Sequence, residues 1–144
     1  MRRVLLGAAA ALCLGVITIS AAERVTTPAR IELNVPMSQL AAATGADATI
    51  WPALGDWVSF TVTFPKSTAK YDPRIVVNCY QGDTLVYGEA GPYTQQFMLG
   101  GSGSTWVYTS QGPAHCVATL FYFSYQGGQK FNYLAETEFD AGGK

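Results

Sequence analysis

Charged residues are scarce in this chain, 13% of 144, near half the share usual in globular proteins. No Lys/Arg cluster occurs after Arg3, so the basic footprint that draws proteins to nucleic acid is missing. Histidine is scarcer still: His115 stands alone, and any Ser-His-Asp hydrolase would have to be built on that ring. There is no Gly-x-Ser-x-Gly elbow and no Cys-x-x-Cys pair. Gly100-Gly101-Ser102-Gly103-Ser104 is followed by neither Lys nor a helical pattern, so it reads as a flexible turn and not a phosphate loop. No Asp-x-Asp spacing gathers Asp72, Asp83, Asp140 or Glu89 into a calcium loop. The chain is therefore expected to work without a metal or cofactor, and not as an enzyme.

A long apolar run is also lacking. Val4 to Ile19 is uncharged and apolar except for Thr18, but it falls short of the roughly 20 residues that span a bilayer comfortably. The basic start Met1-Arg2-Arg3 precedes it, and small residues, Ser20-Ala21-Ala22, follow. This is the pattern of a secretory signal peptide covering 1–22 and cut before Glu23; an uncleaved N-terminal anchor is the alternative. Cys13 follows Leu12 where a lipoprotein site wants a small residue, so lipidation there is not expected. Loss of Arg2 and Arg3 with the leader takes the 9 basic residues to 7 against 10 acidic ones, a formal charge of −3. That balance offers no general attraction to nucleic acid or anionic lipid. The mature protein is expected to be extracellular, with no membrane span after cleavage.

Removal of the leader leaves Cys79 and Cys116 as the remaining cysteines. In an oxidising compartment they are expected to join. The bridge would close a loop of 37 residues (116 − 79), worth roughly 4 kcal/mol in the chain-entropy picture.

What the chain has in plenty is period-two alternation. Ile31, Leu33 and Val35 alternate with Glu32 and Asn34. From Trp57 to Phe64, Val58, Phe60, Val62 and Phe64 take one face and Trp57, Ser59, Thr61 and Thr63 the other. Residues 66–73 read as a polar loop. Ile75, Val77 and Cys79 then share a face; Gln81-Gly82-Asp83 marks a hairpin turn, and Thr84 to Tyr87 the returning strand. Gly88 to Pro92 reads as a breaker, Gln96 to Leu99 and Thr105 to Thr109 as short strands. Cys116 to Tyr125 is apolar on both faces, as in a central or covered strand. Gln126-Gly127-Gly128-Gln129 is a second hairpin signal, with Asn132 to Phe139 returning. On that last strand Tyr133, Ala135, Thr137 and Phe139 are expected opposite Leu134, Glu136 and Glu138. Residues 37–54 lack a strand pattern; Ser38 could cap a helical turn through Leu40 to Ala43.

About seven short strands predict an all-β domain over 30–141, joined to the leader by a linker at 23–29 and folded as a two-sheet antiparallel β-sandwich. Strand number, the two strand cysteines and the Gly112-Pro113-Ala114-His115-Cys116 lead-in to a long late strand resemble the immunoglobulin-like and fibronectin-III-like sandwiches. That resemblance implies a bridge locking two sheets. Two departures stand against an antibody-type domain: Trp106 comes too late after Cys79, and Ala114 stands where that family has Tyr. Cys79 would then lie on a strand beside the Cys116 strand in one sheet. A jelly roll or small barrel is the alternative.

Glu136 and Glu138 lie about 7 Å apart by strand rise, against roughly 5–5.5 Å in a retaining glycosidase, and read as solvated surface. Aromatics are the remaining candidates. Trp51, Trp57, Trp106, Tyr80 and Tyr125 fall on non-core faces or in loops, where rings stack on sugars or anchor protein partners. The expected function is a secreted, non-enzymatic surface or adhesion-type module with a protein or glycan partner. A structural, homo-oligomeric subunit of a virion or surface assembly is the second reading, and a small hydrolase the third.

Overall fold

The computed structural model describes residues 28–36, 51–109 and 111–143. The expected leader (1–22), residues 23–27 of the linker and the helical turn at Leu40 to Ala43 lie outside them. The chain forms β1 (Arg30–Leu33), β2 (Trp57–Val58), β3 (Phe60–Thr63), β4 (Arg74–Gln81), β5 (Thr84–Pro92), β6 (Phe97–Met98), β7 (Ala114–Ser124) and β8 (Lys130–Ala141). All sheets are antiparallel. One has four strands in the order β5-β4-β7-β8; β1 pairs with β3, and β2 with β6. Among the described residues no helix is long and apolar enough to cross a membrane.

The alternation from Trp57 to Phe64 gives the expected faces but not one strand. The run divides at Ser59, β2 pairing with β6 and β3 with β1. Both pieces point their apolar residues inward: Val58 and Phe60 are buried, joined by Phe97 of β6 and Ile31 of β1. From the four-stranded sheet come Ile75, Val77 and Cys79 on β4 and Cys116, Ala118 and Leu120 on β7, each 0% exposed. These side chains form one continuous cluster drawn from all three sheets. β7 is central, between β4 and β8, which accounts for its two apolar faces.

Cys79 and Cys116 are bonded to each other. They are direct cross-strand partners on β4 and β7, so the bridge lies inside one sheet, as expected from placing Cys79 on a strand beside the Cys116 strand; the bridge between two sheets that the family resemblance implied is corrected. Four further local expectations change. Gly88 to Pro92 continues β5 instead of breaking it: an edge strand needs only one paired side, so its glycines and terminal proline are accommodated. Residues 66–71 wind into a 3-10 turn. Residues 106–108 form another, because Trp106 turns inward. A β-bulge places Phe121 opposite Tyr133, skipping Leu134, so Tyr133 joins the exposed face of Glu136 and Glu138.

Candidate functional site

The five expected aromatics do not form one surface. Trp106 is 0% exposed, which removes it from any binding face. Its indole Nε1–H donates to the Gly112 carbonyl (2.9 Å) and its backbone N–H to Ser104 Oγ (3.1 Å). Ser104 in turn donates to the Val86 carbonyl (2.7 Å). Burial of this largest of side chains is thus matched by a partner for its one polar atom. Trp51 is half-buried against the core. Trp57, Tyr80 and Tyr125 lie on three separate clefts.

Trp57 owes its position to alternation. Val58 is pinned in the core opposite Phe97, so the preceding indole faces outward, 58% exposed. It borders a groove of about 460 Å³ with Glu89, Gln95, Gln96, Met98 and Ser102. Glu89 pairs with Val77, whose side chain is buried; at the β5 edge the same sheet face opens and the carboxylate reaches the groove. Both carboxylate oxygens are held there. Tyr87 Oη–H donates to Oε2 (2.7 Å) and Gln95 Nε2–H to Oε1 (2.8 Å). Burial, then the hydrogen bond to Glu89 and its charge, push the Tyr87 phenol far above the usual tyrosine range. Tyr87 therefore remains a donor at all physiological pH values. Gly91 makes room for the clamp, since a Cβ there would collide with the Gln95 amide.

The groove thus offers an indole face, a fixed anionic acceptor, amides and a hydroxyl. Such a set matches a ring with an apolar face and hydroxyl edges. Among the described residues Glu89 is the one carboxylate lining it. Among the described residues no three His, Cys, Asp or Glu side chains converge as a metal site.

Tyr80 faces the cross-strand group His115–Asp140 at one end of the outer sheet face. His115 Nδ1 lies 3.0 Å from Asp140 Oδ1 and Nε2 lies 3.5 Å from Glu138 Oε2. Tyr125, 71% exposed, stands past the opposite end of β7 beside Lys70 and Arg74. Sequence reasoning missed Glu89 and Gln95 as neighbours of Trp57. Alternation across Thr84–Pro92 carried the signal, because Tyr87, Glu89 and Gly91 share a face once that stretch is taken as one strand.

Compared with known proteins, the chain matches no protein-family model, no curated protein and no solved structure.

Proposed function

We propose that this protein is a secreted, non-enzymatic binding module that takes a glycan in the Trp57 groove. In this reading the β1-β3 and β2-β6 pairs form one layer of a two-layer sandwich of immunoglobulin-like kind, with the four-stranded sheet as the other. The leader pattern and the Cys79–Cys116 bond support an extracellular setting. One observation carries the ligand reading: an exposed indole beside a carboxylate already immobilised by Tyr87 and Gln95. Preorganised acceptors lower the ordering cost of binding, and a flat ring face selects for stacking partners.

Nuclear magnetic resonance titration of the purified oxidised protein against a panel of neutral oligosaccharides tests this. Amides of Trp57, Glu89, Gln95 and Ser102 should shift together. Trp57→Ala should weaken binding by about three- to tenfold, with Trp57→Phe between the two. A panel that moves none of these amides, or a Trp57→Ala variant of undiminished affinity, overturns the reading.

A structural-subunit role has its own observation: Phe131 and Tyr133 are 51% and 55% exposed on the outer face of the large sheet. Analytical ultracentrifugation decides it, and a monomer at all concentrations removes it.

A further inference from the structure

A second cleft, sharing no lining residue with the Trp57 groove, arises where β7 outruns β4. Pairing between them stops at Arg74–Phe121, so Tyr122 to Ser124 have no β4 neighbour. The 3-10 turn of residues 66–71 fills that place. Tyr71 stacks on Tyr122 (4.9 Å between centroids, 20° between planes), and Asp72 takes a left-handed conformation (φ 53°) that leads the chain back into β4. The remaining space is a cleft of about 370 Å³ lined by Lys70, Tyr71, Asp72, Arg74, Phe123 and Tyr125. That volume is at the small end of ligand pockets.

Its electrostatics are unbalanced. Among the described residues neither Lys70 nor Arg74 makes an ion pair. Lys70 Nζ sits 4.9 Å from the Tyr71 ring centroid. Among the described residues Arg74 Nε is buried without a hydrogen-bond partner, an arrangement that costs free energy unless something completes it. Phe123 is held against Phe121 and Phe131 at centroid distances of 5.3 and 6.0 Å, so this aromatic wall is fixed before any ligand arrives. Tyr125, 71% exposed, lines the same cleft.

We propose that this cleft binds an acidic sugar, a pyranose ring carrying a carboxylate or a sulfate. The two cations, without an ion pair among the described residues, call for an anionic group, and the planar guanidinium suits either oxyanion. Asp72 in the same lining opposes a bare anion but accepts hydrogen bonds from ring hydroxyls. Phe123 and Tyr125 offer faces for the C–H side of the ring. An inorganic anion uses only the first of these features, and a neutral sugar only the others.

The test is titration of the purified oxidised protein with four probes, followed by amide shifts. The probes are a uronic-acid tetrasaccharide, a sulfated tetrasaccharide, a neutral tetrasaccharide and inorganic sulfate. At least one acidic sugar should move the amides of Lys70 to Arg74 and of Phe123 to Tyr125. The neutral sugar and inorganic sulfate should each bind at least about tenfold more weakly there. Arg74→Met should cost about ten- to hundredfold in affinity, with Arg74→Lys recovering part of it. Tyr125→Ala, at an exposed ring that the fold does not need, should cost about three- to tenfold and keeps the test valid if Arg74→Met fails to fold. Trp57→Ala should leave this binding unchanged, so failure here and failure of the groove reading are separable. The proposal is overturned if neither acidic sugar shifts these amides, if the neutral sugar binds equally well, or if inorganic sulfate alone reproduces the shifts at equal affinity.

Discussion

His115 shows how much one side chain gains from register. Strand pairing sets it directly opposite Asp140 and beside Tyr80, with Glu138 two residues along β8 on the same face. The hydrogen bond to Asp140 raises its pKa above the usual 6.5, with the charges of Glu138 and Asp140 adding and slight desolvation opposing. A base that holds its proton more tightly when folded contributes stability that is complete below its unfolded pKa and disappears as pH rises through the folded value. Stability should therefore decline from about pH 6.5 upward through the folded pKa. His115 is half-exposed and Asp140 mostly exposed, so screening by solvent keeps this loss small. Imidazole resonances followed against pH should give a midpoint above that of a model peptide, and Asp140→Asn should lower it. A midpoint unmoved by Asp140→Asn would sink the account. Trp57 and Trp106 make a second point at this scale. Both are tryptophans in polar, Gly- and Ser-flanked surroundings, yet one is in solvent and the other is fully buried. Alternation with Val58 revealed the first. The second depends on the Gly112 carbonyl accepting from the indole and on Ser104, tied to the Val86 carbonyl of β5, accepting from the Trp106 backbone N–H, contacts that no alternation pattern records.

β5 is the element on which the candidate groove depends. Its Tyr87, Glu89 and Gly91 line one face, and Gln95 folds back over Gly91 to hold Glu89. Gly91→Ala should push the Gln95 amide off the carboxylate. The colliding atoms are the movable end of the Gln95 side chain, so the cost is mainly the lost hydrogen bond to Glu89, about 1 kcal/mol; the urea midpoint should fall slightly and saccharide affinity at Trp57 should fall with it. Equal stability and equal affinity in the Gly91→Ala variant would show that Gln95 does not hold Glu89. The same element marks where sequence reading succeeded and stopped. Strands with alternating bulky residues, such as Trp57 to Phe64 and Ile75 to Cys79, announce their buried faces because each residue contributes to the pattern. β7 announces its central place by being apolar on both sides. The second half of β5 is glycine, glutamate, alanine and proline; it is a strand because β4 lies alongside, and the shared face of Tyr87, Glu89 and Gly91 reads as alternation only once that pairing is known. Trp57 was thus legible as a surface ring, while the carboxylate and amide that make its surroundings a site were supplied by pairing across the sheet. The Lys70–Arg74 cleft is similarly a product of two strands ending at different points.

At the scale of the whole molecule, one core is assembled from three sheets, and the longest-range pairing within the four-stranded sheet is that of β4 with β7. Everything from β5 through Trp106 lies between these strands in sequence. Contacts across such a loop are entropically costly to form. The Cys79–Cys116 bond spans this very pairing, at a separation of 37 residues. Its main effect should therefore fall on the unfolded chain, which it keeps from separating the two central strands, while the surrounding hydrogen bonds and the Ile75, Val77, Ala118 and Leu120 contacts continue to specify the register without it. Cys79→Ala combined with Cys116→Ala should retain the far-ultraviolet β-sheet spectrum yet lose about 3–5 kcal/mol of stability. The dependence of unfolding free energy on urea should steepen, because an uncrosslinked chain exposes more surface when it unfolds. A bridge that acted chiefly by bracing the folded sheet predicts something else: lost sheet signal at low urea and an unchanged slope. Matched urea titrations of the wild-type and double-alanine proteins distinguish the two, since only a tether acting on the unfolded ensemble changes the slope while leaving the native spectrum intact.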